Sequence, residues 1–186
     1  MKKIFILLLI VLSAIVIASF YGIIHDQLTY IISPEYYTKF KFYQFGLIDN
    51  QDTVVENPRQ TTIIVGIMAT WWMGLLIGLL LGLFSLRLKN LRLMFYTSIK
   101  AMLLSLVIAL ATGLIGLAYG FLFLARQPSE SLKYWYIPDD IIDLESYIAV
   151  GSMHNFSYVG GLLGLAIAII FINRIKYNSS KIERTL

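Results

Sequence analysis

The chain contains two histidines, and the residues beside them belong to types that bind metals or move protons. His25 precedes Asp26, Glu35 follows nine positions later, and His154 precedes Asn155. Imidazole together with carboxylate suits ions such as Zn, Fe or Mn, and two imidazoles alone ligate a haem iron. Both histidines can equally be polar residues with ordinary hydrogen bonds. All three interpretations stay open, because residues 129 positions apart have no motif spacing.

Other chemistries are excluded more firmly. The chain has no Cys, which removes disulfides, thiol catalysis, Fe–S clusters and Cys-based zinc sites. It has no P-loop, G-x-G-x-x-G, H-E-x-x-H or G-x-S-x-G motif. The candidates for catalysis or metal binding therefore reduce to His25, Asp26, Glu35 and His154.

Long apolar segments dominate the rest of the chain, and charged residues make up only 14% of it, against roughly a quarter in a soluble domain. Four segments without Asp, Glu, Lys or Arg each exceed about 20 residues, enough to cross a hydrocarbon core of ~30 Å. Lipid offers the backbone no hydrogen bonds, so these segments must be helices. We predict an all-α membrane protein forming one four-transmembrane-helix bundle, with spans at 4–24, 61–86, 101–125 and 147–173.

The first span also resembles a signal peptide, because Lys2 and Lys3 precede an apolar stretch that ends in small residues before Ser19. The apolar run continues to Ile24, which is too long for a typical signal sequence. We therefore expect an uncleaved anchor.

The distribution of charge predicts the orientation. Ten of the 15 Lys and Arg residues lie in the N-terminus, the 87–100 loop and the 174–186 tail, whereas ten of the 11 acidic residues lie in segments 25–60 and 126–146. The positive-inside rule makes the basic side cytoplasmic and both termini cytoplasmic. A basic rim beside a bilayer meets anionic headgroups, so nucleic acid is not an expected partner.

Each span carries small residues at a spacing of four, which lets helices approach closely in lipid. Such stripes pack the bundle internally or form an interface with another chain; the strongest are Gly74, Gly78 and Gly82 in span two and Gly160 and Gly164 in span four. Trp71 and Trp72 lie mid-span, where they either fill space opposite the glycines or line a cofactor or lipid pocket.

The outer segments 25–60 and 126–146 are rich in aromatic residues. Ser33-Pro34-Glu35 has the pattern of a helix start, and Gly46 that of a stop. Pro138-Asp139-Asp140 predicts a second start within an acidic surface, for which calcium binding is an alternative interpretation without an EF-hand pattern. We predict short interfacial helices, flanked by Lys39 and Lys41 and anchored by aromatic side chains: Tyr36, Tyr37, Phe40, Phe42, Tyr134, Trp135 and Tyr136.

Several of these segments together resemble a family of uncharacterised bacterial four-helix membrane proteins. The resemblance rests on His25-Asp26-Gln27-Leu28-Thr29, on Ser33 to Phe42, on Ala69 to Gly74, and on His154 with Ser157-Tyr158. It implies a protein of the bacterial cytoplasmic (inner) membrane and draws attention to both histidine regions. It implies no reaction, substrate or partner.

Two functions follow as hypotheses. The first is a non-catalytic accessory or assembly component of a membrane complex, with lipid and a membrane-protein partner or a second copy as its contacts. The second is a membrane enzyme or ligand-binding protein whose outer site uses His25, Asp26, Glu35 and His154, with a transition metal or haem as cofactor. A third, a lipid-binding or passive small-solute carrier, predicts a cavity beside Trp71 and Trp72.

Overall fold

The computed structural model describes residues 1–50, 53–133 and 135–184, and they form an all-helical protein. Four helices are long and apolar enough to cross a membrane. They are α1 (Lys2–Ile32), α3 (Pro58–Ser85), α4 (Leu91–Leu122) and α5 (Leu144–Arg184), with the three-residue helix α2 (Phe42–Gln44) between α1 and α3. The four-helix prediction is confirmed, although α1 and α5 extend well beyond the apolar runs that predicted them.

Local sequence sets the helix ends. Asn90 caps α4 by accepting hydrogen bonds from the amides of Arg92 and Leu93, and Pro58 opens α3, where its missing N–H costs nothing. The Ser33 hydroxyl accepts a hydrogen bond from the Tyr36 amide at 3.3 Å, so the predicted start is present. Gly46 ends that helical stretch with a positive φ of 65°, a conformation that favours glycine.

The predicted short helix after Ser33-Pro34-Glu35 is present, but residues 36–41 form a π-helix, so Tyr36, Tyr37 and Lys41 turn inwards while Tyr43 is half exposed. The predicted helix start at Pro138 was wrong. Helix α5 begins at Leu144 and not at Pro138, because the Asp143 carboxylate accepts the Ser146 amide and takes the capping role. Asp139 and Asp140 form a turn instead.

Glycine faces hold the helices together in pairs. A Cβ on Gly74 or Gly78 would lie within 2.7 Å of Ala14 on α1, and one on Gly164 would lie 2.7 Å from the Ser105 carbonyl oxygen on α4. Gly82 meets Leu7 of α1, and Gly160 meets Thr112 of α4, in the same way. These glycine faces are therefore covered within the chain by α1 and α4.

The aromatic side chains of the connecting segments mostly build a core. Tyr36, Tyr37 and Phe42 are buried with Leu132 and Tyr147 in one apolar cluster, so they do not anchor the protein at a lipid interface as predicted. Phe40 and Trp135 pack against this cluster. Tyr136 is half exposed, and Tyr134 lies outside the described residues. The segments thus cap one end of the bundle, which we call the capped end.

Candidate functional site

The capped end brings the two histidines together. His25 lies on the inward face of α1, which continues the small-residue positions Ala14, Ala18 and Gly22 at helical spacing. His154 lies on the inward face of α5. Their ring centroids are 4.8 Å apart, and the rings are nearly perpendicular at 89°. This separation is well within the range that a shared mononuclear site allows.

Asp26 completes the group. Its Oδ1 lies 3.1 Å from His25 Nδ1 and 3.4 Å from His154 Nε2. All three residues are almost fully buried, with 5%, 3% and 6% of their surfaces exposed for His25, Asp26 and His154. One nitrogen from each imidazole and one carboxylate oxygen lie within 4.8 Å of one another. We call these three residues the His–Asp–His cluster.

Each imidazole has its second nitrogen in contact with a separate partner. His154 Nδ1 lies 2.9 Å from the Val150 carbonyl oxygen, which can only accept, so this nitrogen carries the proton and donates. His25 Nε2 lies 3.3 Å from the Ser157 hydroxyl. The neutral form of His154 therefore presents the lone pair of Nε2 to Asp26.

The cluster consequently has an unmet requirement for positive charge. A lone pair on His154 Nε2 faces a carboxylate oxygen at 3.4 Å, which is repulsive unless a proton or a cation lies between them. The Tyr37 hydroxyl lies 3.5 Å from the same nitrogen, but its proton is used in the shorter hydrogen bond to Thr29 at 2.6 Å. The second oxygen, Oδ2, is buried and makes no hydrogen bond within the described part of the chain. A buried carboxylate without compensation is costly. The arrangement fits either a protonated His154 or a bound metal ion.

Hydroxyl groups surround the cluster, and the sequence did not single them out as site residues. Thr29 donates to the His25 carbonyl oxygen at 2.9 Å, so it accepts from the Tyr37 hydroxyl at 2.6 Å. Burial raises the pKa of Tyr37, with the Asp26 charge adding to the effect, which keeps that hydroxyl protonated. Thr29 follows His25 by four positions and Ser157 follows His154 by three, so helical spacing was a usable signal.

Glu35 is not part of the cluster. Its two carboxylate oxygens accept hydrogen bonds from the amides of Ile142 and Asp143 at 2.9 and 2.8 Å. The side chain therefore ties the first connecting segment to the two residues that precede α5. This corrects the expectation that Glu35 folds back over the histidines.

A narrow apolar cavity of about 80 Å³ lies beside the cluster, between α1, α3, α4 and α5. Its lining includes Tyr21, Met73, Met102 and Ser157, together with His25, Asp26 and His154. Trp71 and Trp72 do not line it, since they point outwards with 45% and 41% of their surfaces exposed. Of the two alternatives for these tryptophans, lining a pocket is not met at this cavity, because the opposite face of α3 borders it.

A haem does not fit this geometry. Two axial imidazoles must face each other across a flat macrocycle, but here the Asp26 carboxylate occupies the space between the rings. The adjacent cavity of about 80 Å³ is also far smaller than a porphyrin. The arrangement does suit a small ion.

No protein-family model, no curated protein and no solved structure matches this chain. The resemblance to an uncharacterised bacterial family accordingly stays a prediction. Any assignment of function therefore rests on the chemistry of the His–Asp–His cluster.

Proposed function

We propose that the protein is a metal-binding membrane protein in which His25, Asp26 and His154 hold one transition-metal ion. The observation that carries the proposal is the contact of one Asp26 oxygen with both imidazoles, at 3.1 and 3.4 Å. Ligand atoms around a tetrahedral Zn²⁺ with bonds of about 2.0 to 2.1 Å are separated by roughly 3.4 Å. The two contacts come close to that spacing.

The outer hydrogen bonds support the same proposal. A metal-bound histidine almost always donates its second N–H to a carbonyl, carboxylate or similar acceptor, which fixes the ring. The Val150 carbonyl does this for His154, and the Ser157 hydroxyl can do it for His25. A divalent ion would also supply the charge that the buried Asp26 lacks.

Ser157, His25 and Asp26 also follow the order of a hydrolase triad, with hydroxyl, Nε2, Nδ1 and carboxylate in sequence. A hydrolase also needs donors for the oxyanion that forms during the reaction. The amides around Ser157 lie inside helix α5 and are used by its own hydrogen bonds. The geometry therefore favours metal binding over acyl transfer.

Metal analysis of the purified full chain in mild detergent tests the proposal. After chelation and addition of Zn²⁺ or Co²⁺, we expect about one bound equivalent, with a Co²⁺ absorption spectrum that reports nitrogen and oxygen ligands. His25→Ala, Asp26→Asn and His154→Ala should each abolish binding. Asp139→Asn, which removes an exposed carboxylate at the same end of the bundle, should retain it.

Ser157→Ala provides a graded test. Loss of an outer hydrogen bond to a ligating histidine weakens metal affinity by about 10- to 100-fold, so this variant should still bind but less tightly. Wild-type protein that takes up no metal, or binding that survives the Asp26→Asn change, would refute the proposal.

We further propose that both termini are cytoplasmic and that the cluster lies towards the outer face of a bacterial cytoplasmic membrane. The excess of Lys and Arg in the N-terminus, the 87–100 loop and the tail supports this orientation. Cysteine labelling from the outside, in a chain that naturally has none, tests it. A cysteine at exposed Asp139 should react in intact cells, and one at exposed Lys89 should not.

The function of an accessory component in a larger complex stays a prediction. The small-residue stripes were one reason for it, and the glycine faces of α3 and α5 are occupied by α1 and α4. A partner would have to bind elsewhere on the chain. Purification in mild detergent that yields only a monomer with no co-purifying protein would count against this hypothesis.

A further inference from the structure

A second cavity lies at the capped end, separate from the apolar one. It is a cleft of about 420 Å³ between the π-helical segment and the first turns of α5. Its lining is rich in polar groups and includes Lys41, Gln44, Trp135 and Asn155. Its volume lies within the range of sites for small molecules. We call it the outer cleft.

Lys41 is the unusual residue of the outer cleft, because it is an ammonium group with only 6% of its surface exposed. Its Nζ donates to Gln44 Oε1 at 2.9 Å and lies 5.4 to 5.6 Å from the ring centroids of Tyr36, Phe40 and Phe45. No described carboxylate forms an ion pair with it. Lys39, two residues earlier, instead pairs with exposed Asp140.

The aromatic rings compensate Lys41 only in part. Rings at these distances attract a cation, but they do not replace the hydrogen bonds that an ammonium group forms with water. An ammonium group has three N–H donors, and among the described residues Gln44 is the single acceptor. Burial accordingly lowers the pKa of Lys41, although the field of Asp26 opposes that shift. An anion in the cleft would satisfy the remaining donors.

The π-helix explains how a lysine comes to lie there. A π-helix has more residues per turn than an α-helix, and such segments are frequent at functional sites. The wider turn brings Lys41 and Tyr36, five residues apart, onto the same inward face. An α-helical turn would carry Lys41 to a different face. The local helix type thus directs the charge into the cleft.

Amide groups complete a binding surface for one negative charge. Gln44 accepts from Lys41 through its oxygen, so its NH₂ group remains a donor. Asn155 supplies another exposed amide on α5. A single ammonium with neutral amide donors matches a singly charged anion better than a dianion. A phosphodiester is such an anion, and it is the charged group of membrane phospholipids.

We propose that the outer cleft binds the phosphodiester of a lipid headgroup or of a soluble glycerophosphodiester, with Lys41 as its charged donor and Gln44 and Asn155 as amide donors. This site adjoins the proposed metal site. His154 and Tyr158 line both the cleft and the apolar cavity. A bound molecule would therefore lie directly above the His–Asp–His cluster.

Tryptophan fluorescence tests the proposal, because the chain has three tryptophans and one of them, Trp135, lines the cleft. Trp71→Phe with Trp72→Phe removes the two outward-facing rings and leaves Trp135 as the reporter. The full chain in detergent is titrated with dihexanoylphosphatidylglycerol, with its deacylated headgroup glycerophosphoglycerol, and with uncharged dihexanoylglycerol. We expect a saturable change with one or both phosphodiesters and none with the uncharged lipid.

Three variants of the Trp71→Phe, Trp72→Phe protein test whether the ligand binds in the outer cleft. Lys41→Met keeps an unbranched side chain that is one atom shorter and removes its charge, and it should weaken binding at least about tenfold, as expected for a hydrogen bond to a charged group. Asn155→Asp changes an exposed residue without altering its size, and it should weaken binding by charge repulsion even if Lys41→Met fails to fold. Lys39→Met is the matched control and should stay within about twofold of the parent.

The outcomes distinguish a lipid from a soluble ligand. They also distinguish failure of the phosphodiester proposal from failure of the metal-binding proposal. Equal binding of both phosphodiesters supports a soluble ligand, and preference for the acylated one supports a lipid. Equal binding of the uncharged lipid, no response to either phosphodiester, or unchanged affinity in both Lys41→Met and Asn155→Asp would overturn the proposal. Metal content measured in the same samples shows independently whether the His–Asp–His cluster is intact.

Discussion

Two glycines one turn apart on α5 should respond in opposite ways to the same substitution. Gly161 and Gly164 are both buried within one helix. A Cβ on Gly164 would lie 2.7 Å from the Ser105 carbonyl oxygen and 2.8 Å from its Cα, whereas a Cβ on Gly161 would meet only Met73 Cε, at 3.7 Å. The first contact is an overlap with backbone, and the second is ordinary van der Waals contact.

The size of the difference follows from these contacts. Replacing Gly by Ala inside a helix gains about 1 kcal/mol from propensity alone, and this gain is common to both variants. Gly164→Ala must also push α4 and α5 apart, at an overpacking cost of about 1 to 3 kcal/mol. The variant at Gly161 should therefore be neutral or more stable than wild type. Gly164→Ala should lie about 1 to 3 kcal/mol below Gly161→Ala.

Equilibrium unfolding in mixed detergent and dodecyl sulfate micelles, followed by circular dichroism, measures this difference. The Ser105→Gly background supplies a further control, because it removes the side chain and leaves the clashing backbone atoms in place. The penalty for Gly164→Ala should persist there. If Gly161→Ala proved as destabilising as Gly164→Ala, the packing of α5 against α4 that positions His154 would be wrong.

Three further changes probe the capped end. Glu35→Ala removes the acceptor of the amides of Ile142 and Asp143, so hydrogen exchange at these two residues should speed up, with a local cost of about 1 kcal/mol for these exposed bonds. Tyr37→Phe deletes the buried hydroxyl that donates to Thr29, and its unfolding free energy should fall by about 0.5 to 1.5 kcal/mol. Lys41 has a lowered pKa in the fold, so the unfolded chain binds more protons between that value and the ordinary 10.5. Wild-type stability should therefore rise with pH across this window relative to Lys41→Met, as unfolding titrations at several pH values would show.

The sequence by itself determined the four helices, because hydropathy over about 20 residues is a local property. In lipid, an apolar segment must satisfy its backbone hydrogen bonds internally, and a helix does this. It also predicted the caps at Ser33 and Gly46, which depend on residues a few positions apart. The two histidines were identifiable because they are the only ones in the chain. Helical spacing also offered a signal for Thr29 and Ser157, but neither was predicted as a site residue.

Only the tertiary structure decided which of these residues meet. Residues 25 and 154 converge because glycine faces let α1, α3, α4 and α5 pack closely, and no local pattern encodes a contact across 129 positions. The same packing excluded Glu35 from the cluster and turned Trp71 and Trp72 outwards. The π-helix placed Lys41 inwards, against the surface role that its charge predicts. Whether a side chain lies inside the bundle depends on how the helices pack against one another, and the sequence of one helix does not specify that packing.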